Sequence, residues 1–332
     1  MKRRTFLGAG TAASFASALP ACASAPEMAD SAPRYSALAL QTRCDAVNQD
    51  AIVEDARARM AASITRIGGQ IASAKGFLKT FNGSDLRLIV LPEYFMTGFP
   101  LGETREEWKA KAAIDPDGAE YEALATLAQR FSVFLAGNVY ETDPHFPDLY
   151  FQANFVIDPS GETVLRYRRL VSLYTPSPYD VWDAYLDQYG LDGVFPVART
   201  EIGNLASVAS EEILYPELTR AHALRGAEIL IHPTSEVGAP GLTQKDIAKR
   251  ARALENMVYM VSANSAGITG TPIPEASTDA MSKIVDYDGK VMAEAQSGES
   301  MNANAVIDLP ALRARRRRTG MSHMLARQPL DL

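Results

Sequence analysis

Two stretches of this sequence end apolar runs on side chains able to do chemistry. In LRLIVLPE, residues 86–93, an apolar strand runs into a carboxylate, Glu93. In ASVASEEILYPELTRAHALRGAEILIHPTSE, residues 206–236, Ser210 sits where a buried strand hands over to a loop, followed by a helix and a second buried strand. That is the layout of a nucleophile turn, in which a sharp strand-to-helix corner exposes an attacking atom. A carboxylate can move protons. A hydroxyl is a harder nucleophile to use than a thiol, because it needs a strong, well-placed base to lose its proton near neutral pH. His232, at the end of AEILIHP, would supply a serine–histidine pair, a different hydrolase solution. A lone histidine at a strand end is more often structural. His145, His222, His232 and His323 fall at no metal-ligand spacing, so neither a metal nor a cofactor is expected. Cys44 lies in a polar stretch with nothing nearby to lower its pKa, and is read as incidental.

Positioning these groups requires a framework of strands and helices. YSALALQ, from Tyr35, opens it as a half-buried strand, and residues 51–78 show helical spacing through Ile52, Ala56, Met60, Ile64, Ile67 and Ile71. A helix over 119–130 precedes the strand FSVFLAGNVYE. FQANFVID and ETVLRYRR bracket Pro159-Ser160-Gly161 as the arms of a hairpin. A helix over 243–256, the strand VYMVSAN and a second hairpin around Asp288-Gly289 complete the pattern. Helices alternating with apolar strands mean α/β, and consecutive hairpins mean mixed rather than purely parallel sheets. No internal repeat and no linker interrupt the chain after residue 34, so one domain is expected.

Five blocks carry a resemblance. LPEYFMTGF, GNVYE with the later Asn154, LRYRRL, the segment around Ser210 and RALENMVYMVSANSAG occur in this order between about residues 36 and 309. Together they resemble the blocks of the nitrilase, or carbon–nitrogen hydrolase, superfamily. The resemblance implies a four-layer α-β-β-α sandwich over residues 35–310, a small amide-like substrate, and a homodimer or larger homo-oligomer. It also implies catalysis by a glutamate that moves protons, a lysine that steadies negative charge, and a cysteine that attacks an amide or nitrile carbon. Glu93 matches the glutamate, Arg169 stands at the lysine's position and Ser210 at the cysteine's. The register is not at fault: no lysine occurs between Lys111 and Lys245, and no cysteine after Cys44. The family's second glutamate is also missing, since no Glu lies between Glu162 and Glu201; Asp180 and Asp183 are the carboxylates nearest to hand. By the same resemblance the amide of Glu211 inherits an oxyanion-binding role and Glu212 ties down the loop. Tyr94, Phe99, Asn154 and His232 are candidate substrate contacts. Phe95, Met96, Tyr174 and Trp182 would line a pocket or pack a core equally well.

Arginine for lysine keeps a permanent cation but cannot give up a proton. Burial would raise the pKa of Glu93 and a neighbouring Arg169 would lower it. Three functions fit: a hydrolase of amides or related C–N bonds, a non-catalytic protein that keeps the pocket for binding or assembly, and a serine esterase.

At 332 residues and 47% hydrophobic, the chain can bury a large core, and a net charge of −7 argues against a nucleic-acid partner. Residues 1–25 read as an export signal: Lys2, Arg3 and Arg4 precede an apolar run too short and too small-residue-rich to cross a membrane comfortably. Arg3-Arg4 followed by Thr5-Phe6-Leu7 resembles a twin-arginine signal, implying a periplasmic protein exported already folded. Ala21-Cys22-Ala23 offers an ordinary cleavage site, and Leu19–Cys22 also looks like a lipobox that would anchor the chain through lipidated Cys22. Residues 26–34 form a linker. The run RARRRR, Arg313 to Arg318, reads as a solvated helix end or tail over 311–332, pairing with the acidic body, with contact to an anionic surface as the alternative.

Overall fold

The computed structural model describes residues 32–239, 241–318, 320–321 and 323–327; the expected export signal, with Cys22, lies outside the described residues, as does the linker up to residue 31. The chain opens with β1 (Arg34–Ala39), β2 (Cys44–Asp45), α1 (Val53–Asn82), β3 (Leu86–Val90), α2 (Arg105–Ala112), β4 (Ala113–Ile114) and α3 (Ala119–Phe131). It continues through β5 (Phe134–Thr142), β6 (Tyr150–Ile157), β7 (Thr163–Arg168), α4 (Trp182–Val194), β8 (Ala198–Thr200) and β9 (Gly203–Ser207). Next come α5 (Pro216–Leu224), β10 (Ile229–Pro233), α6 (Gln244–Asn256), β11 (Tyr259–Ala263) and β12 (Ile268–Thr269). It closes with β13 (Lys283–Val285), β14 (Val291–Glu294), β15 (Asn304–Asp308) and α7 (Leu309–Arg317).

The strands assemble into two large mixed sheets. One is ordered β15-β1-β3-β5-β6-β7, with β4 beside β5, and the other β14-β13-β11-β10-β9-β8; β2 pairs with β12 apart from both. Each sheet has a parallel centre, β1-β3-β5 in the first and β9-β10-β11 in the second, flanked by antiparallel strands. Helices join the parallel strands, and short turns join the antiparallel pairs β6–β7, β8–β9 and β13–β14. At the β6–β7 turn Gly161 adopts φ 92, and Asp158 Oδ1 accepts from the Ser160 and Glu162 amides at 2.8 and 3.1 Å.

Strands covered on both faces should read as apolar in both phases of the pleat, and these do. Ala37, Ala39, Leu88 and Val90 pack between the sheets against Ile229, Ile231 and Val261. Their neighbours Leu38, Leu40, Ile89 and Leu91 point the other way, onto Met60, Ile64, Ile67 and Ile71 of α1. At about 1.5–3 kcal/mol per buried aliphatic side chain, this stripe fixes α1 where its own propensity would be marginal. Ile52, counted into the stripe by spacing, is instead the exposed residue before the helix. On the far side α6 lies against β11 and β13, with α5 beside α6. The layers therefore stack helix, sheet, sheet, helix, the expected four-layer α-β-β-α sandwich.

The arginine-rich end is less of a tail than the sequence suggested. Asp308 caps α7, its Oδ1 accepting from the Ala311 amide at 2.9 Å, and Leu309 and Leu312 are buried. Arg313 pairs with Glu228 at 2.7 and 3.0 Å, and Arg316 donates to the carbonyls of Ala227 and Met257 at 2.7 and 2.9 Å. Residues three apart on a helix share a face, so these two guanidiniums turn onto the body and staple α7 to it.

Candidate active site

Ser210 terminates the turn after β9 in a conformation that serine seldom takes. Its φ is 47°, in the left-handed region, which for a residue with a Cβ costs of order 1–3 kcal/mol and persists only when its surroundings over-determine it. Two buried side chains do so here. His232, on β10, places Nε2 2.9 Å from the Ser210 carbonyl oxygen and Nδ1 2.8 Å from Ser262 Oγ. Burial, then the Lys249 charge, holds the ring's pKa well below the usual histidine value, so it is neutral. The carbonyl can only accept; Nε2 therefore carries the hydrogen and Nδ1 accepts from Ser262. Both ring nitrogens are committed, neither to Ser210 Oγ. His232 is a support for the turn, not the substrate contact expected of it.

Glu212 is the second support. Its Oε1 accepts from the Leu170 amide at 2.7 Å, the Val171 amide at 3.1 Å and Tyr167 Oη at 2.9 Å, while Oε2 accepts from the Ala209 amide at 2.8 Å. This buried carboxyl ties the segment carrying Arg169 to the segment carrying Ser210.

Glu93 follows β3 and is buried beneath these two segments. Its Oε1 accepts from Gln152 Nε2 at 2.6 Å and Arg169 Nη1 at 2.9 Å, and the Ser210 hydroxyl also favours its ionised form. Burial outweighs the pull of Arg169 and raises its pKa, ranking the two opposed effects that composition left unranked. Arg169, just past β7, donates from Nε to the Val171 carbonyl at 2.6 Å and from Nη1 to Gln152 Oε1 at 2.8 Å, and its Nη2 pairs with Glu211.

Behind Glu93 a chain of buried amides crosses from one sheet to the other. Gln152 donates to Asn138 Oδ1 at 3.0 Å, Asn138 to Asn154 Oδ1 at 2.7 Å, and Asn154 to Ser207 Oγ at 2.7 Å, which donates to the Ile231 carbonyl at 2.9 Å. Asn154 is thereby taken out of the substrate-contact set. It sits mid-strand on the face between the sheets, where a polar group must find a buried partner.

A lysine reaches Ser210 after all, from an unexpected element. Lys245, in the first turn of α6, donates from Nζ to Ser210 Oγ at 3.1 Å and to Glu211 Oε1 at 2.9 Å. Sequence reasoning missed it by looking for the lysine only where the family's block should be. No local signal marks it, because the contact joins residues 35 positions apart on separate elements. Glu211 is the site's second carboxylate, between Lys245 and Arg169. Burial opposes its charge, but the two cations hold its pKa down to about 2. Asp180 does not fill that role, because it caps its own turn by accepting from the Ser177 amide at 2.7 Å; Asp183 is exposed.

Above these groups opens a cavity of about 180 Å³, floored by Glu93, Arg169 and Glu211 and walled by Tyr94, Phe99, Leu173, Tyr174, Val237 and Ile273. Tyr94 and Phe99 pack at 5.4 Å between ring centroids. Phe95 and Met96 point away into the core, and Trp182 stacks on Tyr179 at 4.8 Å. Cys44 is buried, with its thiol donating to the Tyr94 carbonyl at 2.8 Å; burial pushes its pKa up to about 12, so it is inert. Among the described residues no group of three or more His, Cys, Asp or Glu side chains is placed to share a metal ion.

Comparison with known proteins agrees with this architecture. The nitrilase and fragile histidine triad fusion protein NitFhit of Caenorhabditis elegans is 27% identical over 240 residues, covering 71% of this chain and 52% of the relative. A formamidase of Pseudomonas syringae pv. syringae is 27% identical over 230 residues, covering 69% of this chain and 60% of the relative. The chain thus spans between half and two thirds of the length of these relatives. The crystal structure of Saccharomyces cerevisiae Nit3, of branch 10 of the nitrilase superfamily, superposes with a TM-score of 0.65 at 20% identity, covering 86% of this chain and 93% of that one. The model of the carbon-nitrogen hydrolase family matches residues 58–317, a span that takes in Glu93, Arg169, Ser210, Glu211 and Lys245, and the chain belongs to that family.

Proposed function

We propose that this protein hydrolyses a small, uncharged amide or related C–N bond through an acyl-enzyme on Ser210. The observation that carries the reading is the setting of Ser210 Oγ, interacting with the raised-pKa carboxylate of Glu93 and accepting a hydrogen bond from Lys245 at 3.1 Å. A buried carboxylate of raised pKa is a stronger base than an exposed one, and a serine nucleophile needs such a base. Ser210 Oγ bonds to the acyl carbon as its proton passes to Glu93, and the former carbonyl oxygen takes the negative charge beside the Glu211 amide. The C–N bond then breaks, the amine leaving with the proton from Glu93. Water repeats the sequence on the ester, releasing the acid and free Ser210. Arg169 keeps Glu93 oriented. The walls, aromatic and aliphatic with the hydroxyls of Ser172, Thr175, Ser235, Ser277 and Thr278 among them, and the volume of about 180 Å³ favour a small substrate with an uncharged acyl group. The family, and the formamidase among the relatives, support C–N chemistry. Export by the twin-arginine route, with or without a lipid on Cys22, and assembly as a homodimer belong to the same reading.

A second reading, a binding protein without turnover, rests on one observation. Ser210 is only 1% exposed, while the side chain of Glu211, paired with Arg169 and Lys245, is 42% exposed. The ion pairs form a lid that substrate must shift before reaching Oγ, and the Glu211 amide itself leans on its own carboxylate. Intact-mass detection of an acyl group after treatment with an activated ester, with Ser210→Ala as control, separates the readings: label on the wild type alone supports hydrolysis, and no label supports binding.

A further inference from the structure

We infer that Lys245, delivered by α6, is the catalytic cation of this site, and that Arg169 is a positioning residue for Glu93. The inference rests on the hydrolase reading above and assigns the charge within it.

The hydrogen-bond inventory separates the two cations. A guanidinium has five N–H donors in a rigid fork. In Arg169 the Nε donor is spent on the Val171 carbonyl, both Nη1 donors on Glu93 and Gln152, and an Nη2 donor on Glu211. None reaches Ser210, and the backbone bond to Val171 fixes the fork. Lys245 has three donors on a flexible stem. One is on Ser210 Oγ at 3.1 Å and one on Glu211 Oε1 at 2.9 Å. It is the cation that touches the reacting atom.

The chemistry follows from that contact. As the Ser210 proton passes to Glu93, negative charge builds on Oγ, and an ammonium already bonded to it stabilises that charge without reorganising. The same bond steadies Oγ when it leaves in deacylation. Lys245 transfers no proton in this scheme, so the proton balance of Glu93, amine and water is unchanged. Serine thereby gains part of the ionisation that a thiol brings by itself. Glu211 acts as the counter-charge that holds Lys245 over Oγ.

The test measures the acylation burst with 4-nitrophenyl acetate on the whole mature chain, with Ser210 acetylation read by peptide mass. Lys245→Ala should slow acylation roughly 100-fold, and added methylammonium chloride should restore part of the rate by supplying an ammonium in the vacated space. Ser210→Ala in the same buffer subtracts any direct reaction of the amine. Lys245→Gln, which keeps length and polarity without charge, should be as slow as the alanine variant and serves if that variant fails to fold. Wild-type rates in Lys245→Gln, or loss without methylammonium rescue in a folded Lys245→Ala, would overturn the role of Lys245 while leaving the hydrolase intact. A wild type that is never acetylated would remove the hydrolase reading and this role with it.

Discussion

Replacing Glu212 with alanine should loosen the site more than any single change in the pocket walls, and the size of the effect can be worked from its bonds. Four donors converge on this buried carboxyl: the amides of Leu170, Val171 and Ala209 and the hydroxyl of Tyr167. Alanine leaves all of them without their acceptor in a closed space. At about 1 kcal/mol for each abandoned donor, the loss is about 4 kcal/mol, somewhat reduced because burial already disfavours the charge being removed. Glutamine keeps one oxygen for the three donors on the Arg169 side but sets an NH₂ against the Ala209 amide, losing one bond and opposing two donors. That should cost about 2 kcal/mol. Urea denaturation followed by the fluorescence of Trp108 and Trp182 measures both. With a slope of about 3 kcal/mol per M for a chain of this size, the midpoint falls by about 1.3 M for Glu212→Ala and about half that for Glu212→Gln. Equal shifts in the two variants, or a shift below about 0.3 M in alanine, would refute the reasoning that this carboxyl joins the two segments.

On the proposed mechanism, acylation of Ser210 requires ionised Glu93, whose pKa burial raises; the rate should therefore be lost as pH falls through a point above the usual carboxylate range. A pH–rate profile that stays flat down through the ordinary glutamate range would exclude Glu93 as the base. Changing Arg3 and Arg4 both to lysine should leave precursor in the cytoplasm with folding unaffected, and unchanged periplasmic yield would exclude the twin-arginine route. Cys22→Ala should release the protein from membranes if lipid anchors it and change nothing if the chain is cleaved there as a soluble protein.

What the sequence disclosed about this site follows the range of the interactions involved. Glu93 and Ser210 were legible because each closes an apolar strand, and strand ends locate side chains along the chain. Glu212 was legible for the same local reason, two residues beyond Ser210. Direction was not. His232 also ends a strand, but whether its ring faces the pocket or the back of the turn depends on β11, which supplies Ser262. Asn154 stands in the middle of FQANFVID, and only the packing of the two sheets decides that its partner is Ser207. Lys245 is 35 positions from Ser210 along the chain, so nothing local announces their contact. The long strands and helices, in contrast, were written in periodicity, with shifts at ends such as Ile52 and the start of α7, whereas α2, α4 and the short strands β2, β4, β8 and β12 went unread because they are too short or too irregular to show a period.

The central claim is that Ser210 is a nucleophile, and intact-mass spectrometry after exposure to an activated ester tests it most directly. The wild type should gain one acyl group, mapped to Ser210, because ester substrates acylate readily and leave an intermediate that hydrolyses slowly. Ser210→Ala should gain none, and Glu93→Gln should suppress labelling by removing the base while keeping the shape. Arg169→Lys should label more slowly than the wild type but faster than Glu93→Gln, since charge beside Glu93 survives while the fork that orients it is lost. An unlabelled wild type, or equal labelling of Ser210→Ala, would contradict the account and leave the pocket as a binding site.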